Sequence, residues 1–249
     1  MDVALSKVAL SVFLLILAIT IPAGTILPVS LNSTLSSVKC KPGQIITARV
    51  MQDVPLPSGG AIRAGSKVIG HIVSVTAASG GSPASLSFRF DTLETREGKL
   101  SVNTDLRAIA SFTEVERAAL PRAGADRGTP ANAWTTVQIG GDVVYRGGGY
   151  VEARRERVGK PVSGGVLSHL RSNPERGCSD ALDREALQAL WLFSSDACGT
   201  YDLPNLRIRR KEPADASGEI ILDSAKGQVN VRAGAGLLLA VNESAPGRP

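Results

Sequence analysis

The sequence predicts a mainly β protein, a small barrel or curled antiparallel sheet with a short disulfide-stapled helical insert. Three observations predict it. The 249 residues include 26 Gly and 14 Pro, a share that suits many short strands cut by turns. Several segments alternate apolar and polar residues with period two, the pattern of a half-buried strand. Aromatic residues make up only 4% of the chain, so the core must be built mainly from Val, Ile, Leu and Ala.

The elements follow in order. Lys7 precedes Val8 to Ile21, 14 residues without a charge, and Pro22-Ala23-Gly24 follow. A basic start, a short apolar run and small residues at its end mark a secretory signal peptide, assigned to residues 1–24, with cleavage after Ala23 or Gly24. The run is short for a spanning helix, which needs roughly 20 apolar residues. Ile26 to Leu31 is a first strand. Lys41-Pro42-Gly43 is a turn, because Pro presets φ and Gly accepts a positive one. Gln44 to Asp53 places Ile46, Ala48, Val50 and Gln52 on one face and Ile45, Thr47, Arg49 and Met51 on the other. After a Pro/Gly/Ser loop to Gly60 and a short strand and turn over Ala61 to Ser66, Lys67 to Thr76 is another strand, with Gly70 as its bend or bulge. Ala77 to Ser85 reads as a flexible linker. Leu86 to Glu94 alternates again, and Lys99 to Phe112 is expected to pair back on it as a hairpin.

The block from Gly24 to Gly70 has a distinctive order: Gly24-Thr25-Ile26-Leu27-Pro28-Val29, Leu31-Asn32, Pro42-Gly43-Gln44, Ala48-Arg49-Val50, Asp53-Val54, then Ile62-x-Ala64-Gly65-Ser66-x-x-Ile69-Gly70. With the Phe90-Asp91-Thr92-Leu93 strand and a closing strand within 229–241, it resembles the C-terminal barrel of TrbI-like proteins, outer-membrane channel components of type IV secretion and conjugation systems. The layout also resembles a group of exported bacterial proteins. The resemblance implies a barrel core over 25–112 completed by 229–241, an envelope location and an assembly role. The family carries an inner-membrane helix, a Pro-rich stretch and membrane-crossing helices that this sequence does not match. The scaffold is therefore expected to be shared and the channel role not.

Residues 113–177 read as an irregular insert with a hairpin. Glu114 to Leu120 suits a short helix, and Trp134 to Tyr145 folds around Gly140-Gly141-Asp142. Arg146 to Tyr150 (RGGGY) lacks the strand–loop–helix setting of a phosphate loop. Ala153 to Lys160 (ARRERVGK) is a charge run, read as a solvated face rather than a polyanion or lipid-headgroup patch. Residues 178–201 are expected to hold a helix with an apolar stripe of Leu182, Ala186, Leu187, Leu190, Trp191 and Phe193, started by Asp180 or Asp183. Cys178 and Cys198 are expected to form a disulfide in an oxidising compartment, leaving Cys40 buried and free or paired with one of the other two. Residues 242–249 read as a disordered tail.

Chemistry is sparse. The only histidines, His71 and His169, are the sole candidates for the usual catalytic base, and neither stands at zinc-ligand spacing from a cysteine. Ser168 beside His169 does not make a catalytic pair, and no GxSxG elbow is present. No catalytic, cofactor or metal residues are assigned, and no cofactor is expected. A net charge of +5 without an aromatic stacking platform argues against nucleic acid as a partner. In a bacterial setting, the sequons at Asn32 and Asn242 read as ordinary turn residues. The expected function is a non-enzymatic exported protein, periplasmic, outer-membrane-associated or extracellular, that binds envelope proteins or itself, with no transmembrane helix after signal removal. A small-molecule-binding barrel is the alternative, followed by an unrecognised hydrolase.

Overall fold

The computed structural model describes residues 21–178, 186–209 and 218–242. Its centre is the strand Ile26–Leu31, which pairs antiparallel with Gly236–Val241 on one side and with Ile45–Val50 on the other. Beyond Ile45–Val50 come Lys67–Thr76, Ala84–Glu94, Ile220–Ser224 and Leu206–Arg209. Beyond Gly236–Val241 come Thr104–Ala110 and, parallel to it, Gly199–Tyr201. Lys99–Ser101 pairs with the far end of Ala84–Glu94, completing ten strands. The two outermost strands, Gly199–Tyr201 and Leu206–Arg209, are joined by a short turn and lie against each other, so the sheet curls into a nearly closed barrel.

Alternation decides what enters the barrel. Leu27, Val29 and Leu31 pack inward with Ile46, Ala48, Val50, Val68 and Ile72, while Ile45 stays 62% exposed on the outside. In Ala84–Glu94 the inward set is Ala84, Leu86, Phe88 and Phe90, then Leu93. That change of parity follows a register shift against Lys67–Thr76 at Ile69/Gly70, which leaves Asp91 as the extra residue of the bulge. Gly70 is obligatory there, since a Cβ would stand 1.9 Å from the Arg89 carbonyl oxygen. Phe88 and Phe90 meet edge to face at 5.6 Å.

A second sheet of six antiparallel strands runs as a meander: Thr135–Val137, Val143–Tyr145, Tyr150–Ala153, Glu156–Val162, Gly165–Ser168 and Gln188–Ala189. It lies over the outer face of the barrel's central strands. Ile26, Ala108, Ala110 and Leu238 leave the barrel on that side and form a second core with Val144, Val151, Val166, Trp191 and Phe193. The helix Phe112–Ala119 adds Val115 and Ala118; Ser111 caps it by accepting from the Glu114 N–H at 3.1 Å. Gly236 sits where this core is tightest, since its Cβ would lie 3.0–3.2 Å from Val115, Phe193 and Trp191.

Several expectations change. The insert over 113–177 holds more than one hairpin: after the helix and a loop, the strands from Thr135 to Ser168 form a meander, and Val144, Val151, Val158 and Val166 of those strands are buried in the second core. Thr104–Ala110 does not pair back on Ala84–Glu94 but on the closing strand, leaving only Lys99–Ser101 in the hairpin. Ala77 to Ser85 holds a tight turn closed between Ser79 and Ser82, and its last two residues lie in the strand. Leu206–Arg209 and Ile220–Ser224, unassigned from the sequence, close the barrel.

The expected helix within 178–201 is not formed by its described part. Gln188–Ala189 is a strand, and Leu190 to Phe193 turn with Trp191 at φ 51°. Burial of Leu190, Trp191 and Phe193 in the second core prevails over the helical stripe. Leu182 and the capping Asp180 and Asp183 lie outside the described residues. So do residues 1–20 of the leader, although Ile21 packs against the barrel core, the Thr25 hydroxyl donates to the Pro22 carbonyl at 2.6 Å, and the Gly24 N–H donates to the Val241 carbonyl. Residues 243–249 of the tail also lie outside.

Candidate functional site

Cys178 and Cys198 are bonded, with Cα atoms 6.1 Å apart. Around them lies a polar junction between barrel and second sheet. Arg107, the extra residue where the register shifts between Leu238 and Leu239, is 5% exposed. Its guanidinium donates to the Ala197 carbonyl at 3.0 Å and the Arg171 carbonyl at 2.6 Å. Tyr201 accepts from the Cys198 N–H at 3.1 Å, and Arg176 lies 4.3 Å over its ring. Burial pushes the Tyr201 phenol up from 10.0, against the pull of that N–H and of Arg176. Cys40 is buried and free; its sulfur accepts from the Ser36 N–H at 3.3 Å and faces the Thr34 carbonyl.

The same junction holds a carboxylate that sequence reasoning missed. Asp142 is 5% exposed and accepts from the Ser195 N–H at 2.7 Å. Burial pushes its carboxyl above 3.8; the Ser195 hydrogen bonding opposes this, while Asp196 adds to it. Ser194 and Ser195 are fully buried, and neither histidine reaches them. The group fastens the 193–198 turn to the Gly140–Asp142 hairpin, where a Cβ on Gly140 would strike the Ser194 hydroxyl at 1.9 Å. The partners are 53 residues apart, so no local spacing signals them.

His71 lies on the outer face of the barrel, its Nδ1 2.9 Å from Asp91 Oδ2, with both side chains over a third exposed. It meets an acid on an open surface, not in a cleft; its cross-strand neighbour is Arg89. His169 is exposed, with its backbone N–H on the Val158 carbonyl. Ser168 is fully buried and donates to the same carbonyl at 2.9 Å. Asn32 and Asn242 flank strands, as turn residues do. Among the described residues no group of His, Cys, Asp and Glu could hold a metal ion, and no helix is long and apolar enough to cross a membrane.

The surface with the most chemistry is the second sheet. The charge run is a hairpin whose tip is Arg154-Arg155, both in the left-handed region at φ 50° and 72°, where Asn-Gly is the usual pair. Arg154 reaches Asp196 at 3.4 Å, and Glu156 reaches Arg171 at 3.5 Å. On the outer face Tyr145 and Tyr150 stack at 4.7 Å, and Arg157 lies 4.3 Å over the Tyr150 ring. Arg146 to Gly149 is the turn beneath that stack; a Cβ on Gly148 would meet Tyr150 at 2.7 Å. Residues 146–160 hold five cations and two glutamates, more than half of the chain's net charge.

Beside the edge strand Thr135–Val137 an open groove of about 600 Å³ is lined by Ala119, Asn132, Trp134, Thr136, Arg146 and Pro161 to Ser163. No carboxylate lines it. Comparison of the sequence with known protein families and with curated proteins finds no match.

Proposed function

We propose that this chain is a non-enzymatic exported protein of the cell envelope, a binding or assembly module that engages another envelope component, or copies of itself, through the second sheet. The observation that carries the reading is the division of labour between the sheets. The barrel is packed by its own Val, Ile, Leu and Phe side chains, whereas the exposed Arg154, Arg155 and Arg157 gather beside the half-buried Tyr145–Tyr150 stack on the meander. A filled interior also disfavours a barrel that carries a small molecule inside. The pairing of Ile26–Leu31 with Gly236–Val241 joins the two blocks that resemble TrbI-like barrels, which supports a scaffold of that kind. The disulfide suits an oxidising compartment.

Co-sedimentation of the exported chain with isolated bacterial envelopes tests this. The wild type is expected in the pellet, and the Arg155→Glu/Arg157→Glu double variant in the supernatant with an unchanged melting temperature. A wild type that stays soluble, or a double variant that pellets equally, overturns the proposal.

A further inference from the structure

We infer that the groove at the edge of the second sheet binds an acidic saccharide, with a sugar ring against Trp134 and its carboxylate on Arg146. The inference rests on the reading of the chain as an envelope-binding module, and it names the ligand class. Trp134 is half-buried, and its indole N–H is already given to the Thr129 carbonyl at 3.2 Å. The ring is thereby fixed and has no donor left, so what it offers to the groove is an apolar surface. Arg146 is anchored through its backbone N–H on the Trp134 carbonyl at 3.1 Å. Among the described residues its guanidinium makes no ion pair or hydrogen bond.

Asn132, Thr136 and Ser163 also line the groove, and their polar side-chain atoms are likewise without protein partners among the described residues. A planar fork that matches a carboxylate, neutral hydroxyl and amide groups, and a flat apolar platform together fit a hydroxyl-rich ring that carries one negative charge. A groove of about 600 Å³ falls within the size range of small-ligand sites. Arg146 is the one charged residue of the lining, and no carboxylate accompanies it, which favours an anionic ligand over a cationic one. No Gly-rich phosphate cradle at a helix N-terminus is present in the groove, which favours a carboxylate over a nucleotide phosphate.

Calorimetric titration of the full chain with a galacturonic acid trimer, and with its carboxyl-reduced neutral counterpart, tests the inference. The acidic trimer is expected to bind at least about tenfold more tightly than the neutral one, as a charge-assisted hydrogen-bond pair implies. Arg146→Gln should remove that difference, Arg146→Lys should keep part of it, and Trp134→Ala should abolish binding of both. Unchanged melting temperatures exclude unfolding as the cause. Equal binding of the two trimers, binding unaffected by Arg146→Gln, or no binding of either overturns the inference. Envelope sedimentation that persists while neither trimer binds removes the saccharide and leaves the envelope reading standing; the converse result removes the envelope reading alone.

Discussion

Gln52 shows how one side chain can stand in for a strand. It continues the inward parity of Ile46, Ala48 and Val50 and is fully buried. Its Nε2 donates to the Val166 carbonyl at 2.7 Å, and its Oε1 accepts from the N–H groups of Val166 and Trp191 at 3.2 and 2.8 Å. This grip holds Trp191 at its positive φ. Replacing Gln52 by Leu takes the acceptor from the Val166 and Trp191 N–H groups and should cost about 2–4 kcal/mol in denaturant unfolding. Asp142 should act in the opposite sense. Its carboxyl titrates higher in the folded chain than in the unfolded one, so the folded state binds more protons between the two values. Stability should therefore fall as pH rises from about 3.8 through the raised value, and Asp142→Asn should flatten that slope in a pH series of unfolding curves. Gln52 read from the sequence as one more alternating residue; neither its partners nor those of Asp142 were legible, because they lie 114 to 139 and 53 residues away.

At the scale of the element, local pattern and tertiary burial divide the outcome. Ile26–Leu31, Ile45–Val50 and Lys67–Thr76 formed where period-two alternation placed them, and Gly70 marks a bulge because the backbone of the next strand passes too near for a Cβ. Gly70→Ala should therefore destabilise by about 2 kcal/mol or more, read as a shifted denaturation midpoint. The stripe around Leu190 had the spacing of a helix, yet its described part is a strand and turn. Its apolar residues satisfy the second core, and Val166 supplies the backbone partner for Leu190. Helical spacing in so short a stretch is weak evidence when a sheet edge is available.

In the whole molecule, the two cores share the barrel's central strands: Leu27 faces one and Ile26 the other. Neither sheet can lose those strands and keep its core, so the two should unfold together. Both tryptophans, Trp134 and Trp191, belong to the meander side. Tryptophan fluorescence should therefore report a transition that coincides with far-ultraviolet circular dichroism, which follows the barrel as well; two separated midpoints would contradict the shared-core argument. Replacing Cys178 and Cys198 by Ala should lower stability by roughly 3 kcal/mol in the chain-entropy account, with the β content kept. Native mass spectrometry addresses the assembly side of the proposed function: a closed oligomer is expected if the chain has the assembly role proposed for it, and a monomer removes that part.

The residues alone carried the β class, most barrel strands and the turns at Pro42-Gly43 and Gly140-Gly141. Each of these depends on a local period or a local dihedral preference. The pairings open to Cys40, Cys178 and Cys198 were resolved by the fold, which brings Cys178 and Cys198 together and buries Cys40 apart. Tertiary packing settled that Tyr150–Ala153, Glu156–Val162, Gly165–Ser168 and Gln188–Ala189 extend the hairpin of Trp134 to Tyr145 into a second sheet, that Thr104–Ala110 joins the closing strand, and that Trp134 and Arg146 share a groove with Ser163. Those outcomes depend on which buried face each strand covers, and that is fixed by partners far along the chain rather than by the residues next to it.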